Sequence, residues 1–175
     1  MKFAAACLLW MIFAGMASAF EIYAVEVPDP RSVEPYDPYA RKTEAIPEFN
    51  AVPKDLRPIV EVADITSYNV QTHILAVNPA AARRLRASLG KWLVVCADRK
   101  PIYVARLWKG IYSVSACHAV FMEREKRDVF AIELGYPTPD HFRGKDERSN
   151  SQIVAALSAA RLIVTKPGLP ATTPR

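Results

Sequence analysis

Seven prolines fall between positions 28 and 58 (Pro28, Pro30, Pro35, Pro38, Pro47, Pro53 and Pro58). Each fixes φ and removes a backbone donor, so the stretch can hold neither a helix interior nor a central strand. The apolar residues among them keep no regular period. Residues 20–57 therefore read as an extended, partly polyproline arm. Its start, FEIYAVEV, alternates well enough for one short strand. Any packed body must be built from the residues that follow.

What precedes the arm has a different character. Residues 1–19 read MKFAAACLLWMIFAGMASA, with Lys2 first, then an apolar run, then Ala17-Ser18-Ala19. This is the pattern of a secretory signal peptide cut after Ala19. The apolar run is shorter than the roughly 20 residues a spanning helix needs. A periplasmic or secreted protein is expected, with no stable membrane span after cleavage. Cys7 leaves with the signal, and an oxidising compartment favours pairing of the remaining Cys96 and Cys117. Such a disulfide would stabilise the fold by about 3 kcal/mol in the chain-entropy model.

From Ile59 onward the periods become readable. IVEVADI and NVQTHILAV are β-type runs, with Thr66-Ser67-Tyr68-Asn69 turn-competent between them. Asn78 is a good N-cap, Pro79 suits the first helical position, and Gly90 fits the residue past the end. The spacing places Ala82, Leu85 and Leu89 on the buried face of that helix and Arg83, Arg84 and Arg86 outside. Strands are predicted over 92–97, 101–107, 111–122 and 129–134, with turns at 98–100 and 123–127. A long loop, 135–150, precedes a second amphipathic helix over 151–161 and a short last strand. The expected body spans residues 58–166, followed by a disordered tail at 167–175. Its class is α+β: an antiparallel sheet of four to six strands with two amphipathic helices on one face. About 110 residues suffice for one core.

The order within residues 65–107 carries a resemblance. A strand ending in Asn78, the helix AAARRLRASLG, the Gly90-Lys91 step, the strand WLVVCAD with Asp98 at the turn, and the return strand PIYVARL follow one another. This resembles the head portion of the first periplasmic domain of SecD, a subunit of the bacterial protein translocase. The likeness covers about a quarter of the chain. It implies a helix packed on an antiparallel hairpin, used for contacts with other proteins, and it transfers no catalytic residue. Cys96 and Cys117 are outside the family pattern.

Composition bounds the chemistry. The chain is 51% hydrophobic with a formal charge of +5, which argues against wholesale disorder. His73, His118 and His141 have no ligand spacing, so no metal or cofactor is expected. Cys117-His118 gives no nucleophile and base pair if the cysteine is bridged, and neighbouring strand residues point to opposite faces. No Gly-x-Ser-x-Gly elbow or phosphate loop occurs. A hydrolase would need a cleft gathering His141 with Asp140 or Glu147. Between 83 and 109, eight cations (Arg83, Arg84, Arg86, Lys91, Arg99, Lys100, Arg106, Lys109) face one acid, Asp98. With Trp108 nearby, that stretch suits an anionic polymer. The expectation carried forward is a non-enzymatic interaction module, partnered by a protein of an envelope or secretion assembly. A polyanion-binding surface and a hydrolase near His141 are the alternatives.

Overall fold

The computed structural model describes residues 19–27, 46–109, 115–126 and 128–165. Its strands are β1 (Phe20–Val25), β2 (Val60–Glu61), β3 (Ile65–Asn69), β4 (Ile74–Val77), β5 (Trp92–Ala97), β6 (Lys100–Trp108), β7 (Ala116–Glu123), β8 (Val129–Tyr136) and β9 (Ile163–Val164). Two α-helices join them, α1 (Pro79–Ala87) and α2 (Ser151–Ala159). All nine strands form one sheet in the order β2-β1-β5-β6-β7-β8-β4-β3-β9. The expected antiparallel sheet of four to six strands is thus corrected to a nine-stranded mixed sheet. The pairs β6–β7 and β3–β9 are parallel. Two strands close in sequence are expected to pair antiparallel because a hairpin is the short connection. Side-chain period carries no information about direction.

The FEIYAV segment moves from the arm to the body. β1 pairs with β5 over six positions, from Phe20↔Ala97 to Val25↔Trp92, and with β2 on its other side. Residues 46–58 are also docked. Val52 is buried with Tyr23, Val94 and Cys96, and Phe49 and Leu56 pack against the same group. Only the stretch 28–45 of the expected arm lies outside the described residues, as do residues 1–18 of the expected signal sequence and the tail from 166.

β5 explains the lack of alternation in WLVVCA. All six residues are buried, because Leu93 and Val95 enter the main core while Val94 and Cys96 enter the cluster under residues 46–58. A strand covered on both faces reads as a continuous apolar run. The main core also receives Phe121, Phe130 and Ile132 from the sheet, Ala82 and Leu85 from α1, and Ile153 and Leu157 from α2. Leu89 does not join them. The helix ends at Ala87, Ser88 donates its hydroxyl to Leu85 O, and Leu89 is exposed.

The first hairpin turns later than expected. Thr66, Ser67, Tyr68 and Asn69 are strand, and the chain reverses between Asn69 and Ile74. The cause is the buried Asn69 carboxamide, whose Oδ1 accepts the N–H groups of Gln71 and Thr72 at 2.9 and 3.0 Å. An Asn side chain that copies a backbone turn in this way sets where a hairpin closes.

α1 begins where its capping chemistry says. Asn78 Oδ1 accepts the Ala81 N–H at 2.8 Å, and its Nδ2 donates to Asp64 Oδ1 at 2.9 Å. Burial pulls the Asp64 carboxyl upward, but hydrogen bonds from Arg84, the Glu61 N–H and Asn78 outweigh it and hold the group below the usual carboxylate range. Asn78→Ala is expected to lower stability by about 0.5–2 kcal/mol, the range for a lost N-cap. Urea unfolding midpoints at constant slope would check this, and an unchanged midpoint would show the cap to be idle.

Candidate functional site

The parallel pair β6–β7 is in register only from Ala105↔Ala119 to Trp108↔Met122. Upstream of that point the two strands are not paired with each other, and β7 carries an irregularity against β8 between Ala116 and Ala119. A cavity of about 320 Å³ lies where they part. Ile102 and Val104 of β6, His118 and Ala119 of β7 and Leu134 of β8 line it, and the loop after β8 supplies Phe142 and Arg143.

That loop is held tightly. Gly135 has φ +69, and a Cβ there would sit 2.7 Å from Phe142 N, so only glycine lets the loop fold back on β8. Arg143 N–H donates to Cys117 O at 2.8 Å, pinning the loop across the cavity to β7. Arg148 donates to both oxygens of Asp146 at 2.9 and 2.8 Å and to Ile132 O at 2.7 Å. Lys145 pairs with Glu147 at 2.6 Å, and Glu147 also accepts from Asn150. Lys145 and Arg148, both lining the cavity, are thereby matched to carboxylates. The Arg143 guanidinium has no partner among the described residues.

His118 is the unusual group. It is 1% exposed, and its ring lies 4.7 Å from that of Trp92 and 6.1 Å from that of Trp108. Burial, aided by the nearby Arg106 guanidinium, lowers its pKa to about 4, so the imidazole is neutral at pH 7. Neither ring nitrogen has a hydrogen-bond partner among the described residues. Leaving a buried polar group unsatisfied costs about 1–3 kcal/mol. Sequence reasoning passed over His118 because it had no ligand spacing. The available signal was a lone polar residue inside the apolar run ACHAVFM, where burial of a histidine calls for a reason.

The two cysteines are corrected. Cys96 and Cys117 are both buried and carry no bridge between them. β6 lies between their strands, which separates the backbones by about 9–10 Å at the usual strand spacing. A disulfide needs Cα atoms within about 7 Å. The Cys96 thiol is pushed up to about 12 by burial and then by the Glu21 charge, with Arg99 acting against them. It is no nucleophile at neutral pH.

The basic stretch is mostly engaged inside the molecule. Arg84 holds Asp64 and donates to Ile59 O, Arg86 pairs with Glu123 at 2.9 Å, and Lys91 with Glu26 at 2.8 Å. Arg99 lies over the Tyr23 ring and donates to Tyr23 OH and Pro53 O, tying residues 46–58 to the sheet. Arg106 lies over the Trp92 ring, 5.2 Å from its centroid, and donates to Gly90 O. Arg83, Lys100 and Lys109 are exposed, and among the described residues their side chains make no ion pair or hydrogen bond. Lys100 opens β6 and Lys109 follows its last residue, about 30 Å apart at 3.3 Å per residue. Trp108 is 6% exposed and cannot offer its face for stacking.

The hydrolase residues do not gather either. His141 is exposed in a 3₁₀ turn with Nδ1 3.2 Å from Thr138 Oγ1. Among the described residues, no hydrogen bond or ion pair joins it to Asp140 or Glu147. With the geometry in hand, comparison with family models, curated proteins and solved structures finds no match to this chain.

Proposed function

We propose that the protein is an exported, non-enzymatic interaction module, an accessory to an envelope or secretion assembly, and that it makes contact through the cleft between β6 and β7. The signal-like leader and the SecD-like order of residues 65–107 support the setting. The observation that carries the reading is the apolar lining of that cleft, in which His118 is neutral and its ring nitrogens are buried. A general base works best with a pKa near the operating pH, whereas this imidazole titrates near 4 and lines a largely apolar recess. A recess walled by Ile102, Val104, Ala119, Leu134 and Phe142 suits recognition of an apolar group rather than proton transfer.

Photocrosslinking in bacterial cells tests this. With p-benzoylphenylalanine in place of Phe142, irradiation is expected to give an adduct with one envelope protein. The same probe in place of Arg83, on the outer face of α1, should give none. No adduct from position 142, or the same adducts from both positions, would overturn the cleft as the contact site.

A further inference from the structure

We infer that the peptide bond between Ala19 and Phe20 is a processing site that the fold shields: a leader peptidase cuts it only before β1 pairs with β5, and a chain that folds first keeps its leader. This rests on the export reading and adds when the leader can be removed.

The first observation is where the bond lies. Ala19 is the last small residue of the leader pattern, yet it is already held by the sheet. Its N–H donates to Asp98 Oδ1 at 2.7 Å, and its carbonyl accepts the Asp98 N–H at 2.8 Å. On the far side of the bond, Phe20 lies opposite Ala97 and is buried. No spacer separates the expected cut from the first strand.

The second is what holds both sides. Asp98 and Arg99, both with positive φ, form the turn between β5 and β6. Their N–H groups are spent on the leading residues, Asp98 on the Ala19 carbonyl and Arg99 on the Glu21 carboxylate at 2.9 Å. β1 is also an interior strand, paired with β2 through Glu21 and Ile22. Freeing residues 19 and 20 therefore means parting β1 from the turn and from β5, not fraying a loose end.

The chemistry needs that freedom. Hydrolysis breaks the bond from the Ala19 carbonyl carbon to the Phe20 nitrogen and consumes one water. The water oxygen ends in the Ala19 carboxylate and its two hydrogens on the Phe20 ammonium. A peptidase that reads small side chains must reach that carbonyl carbon and gather its oxygen among its own donors. In the folded chain the oxygen is already engaged by the Asp98 N–H and faces β5. Cutting then waits for the opened form, whose population sets the rate when reclosing is fast.

The test uses the whole chain with its leader, held unfolded in urea and diluted into detergent micelles with a purified bacterial leader peptidase. In one arm the peptidase is present at dilution. In the other it is added once the near-ultraviolet circular dichroism has recovered. Intact mass identifies the product. The first arm is expected to yield a chain beginning at Phe20. The second should be cut at least about a hundredfold more slowly, given unfolded fractions of about 10⁻³ or less. A variant with a short Gly/Ser spacer inserted between Ala19 and Phe20 keeps β1 intact, so its folded form should be cut about as fast as the unfolded parent. Equal rates in the two arms, or a folded spacer variant that stays uncut while its unfolded form is cut, would overturn the shielding and leave the leader standing. A product beginning at Ser18, or a parent uncut in the first arm while the spacer variant is cut, would overturn the site. No cut of either chain in any arm would overturn the leader, and the export reading with it.

Discussion

Deleting residues 20–25 is expected to leave a chain that does not unfold cooperatively. β1 lies between β2 and β5, and no strand of the sheet could take its place without opening β5 to solvent. Phe20, Ile22 and Tyr23 are each at most 3% exposed. Burial of three such side chains stabilises by roughly 5–9 kcal/mol at about 1.5–3 kcal/mol each. That is comparable to the whole stability of a typical domain, about 5–15 kcal/mol. Further contacts go with them: Ile59 N–H donates to Ile22 O at 2.7 Å, and Arg99 N–H donates to Glu21 Oε2 at 2.9 Å. Near-ultraviolet circular dichroism during a urea titration would measure the result. A sharp transition with the parent's slope in the shortened chain would show β1 to be dispensable.

Acid sensitivity centred on His118 is the second large effect. In the unfolded chain a histidine binds its proton near pH 6.5. The folded protein refuses that proton until about pH 4. Between those values the unfolded state binds more protons than the native one, so stability falls as pH drops through this window. It is constant, as far as this group is concerned, above about pH 7. The full difference is about 3 kcal/mol. His73 is also lowered, by burial and then by the Arg148 charge, and adds a slope of the same sign. Asp64 and Asp146, held below the ordinary carboxylate range, lose their contribution further down as they become protonated. Urea midpoints at pH 7.5 and pH 5 should therefore differ. His118→Phe should flatten the part of the difference that belongs to this ring. An identical pH dependence in that variant would refute the assignment.

Much of the local structure was readable because it is set by neighbours in sequence. Asn78 and Pro79 mark the start of α1 through cap chemistry and backbone conformation alone, whereas the helix ends at Ala87 with Ser88 as its C-cap, short of the expected stop at Gly90. The 92–107 hairpin shows itself because Trp92–Ala97 and its return strand flank a turn at Asp98 and Arg99. Both of those residues have positive φ, the combination that matches the twist of a tight hairpin. What could not be read depends on partners far away in the chain. FEIYAV alternates like a strand, but only its pairing with β5 shows that it is interior. β2 and β9 have two residues each, too few for any period to register. The parallel run of β6 with β7 leaves no mark on side-chain order, and the cleft exists because of it. The Cys96–Cys117 bridge was inferred from number and compartment, whereas sheet order decides it. His118 was overlooked because its interest lies in what surrounds it, not in spacing to another ligand.

The place of β1 has a consequence for how the chain comes together. It leaves a ribosome or translocation pore long before the strand it pairs with along its whole length, at residues 92–97. Until then Phe20, Ile22 and Tyr23 remain uncovered, and contacts of such long sequence separation form slowly. The nascent protein thus carries an adhesive, uncovered segment until the middle of the chain has been made, the stage at which transiently bare strands aggregate. A holdase, or threading in an unfolded state, is the safe route for a chain whose first strand must wait for its middle.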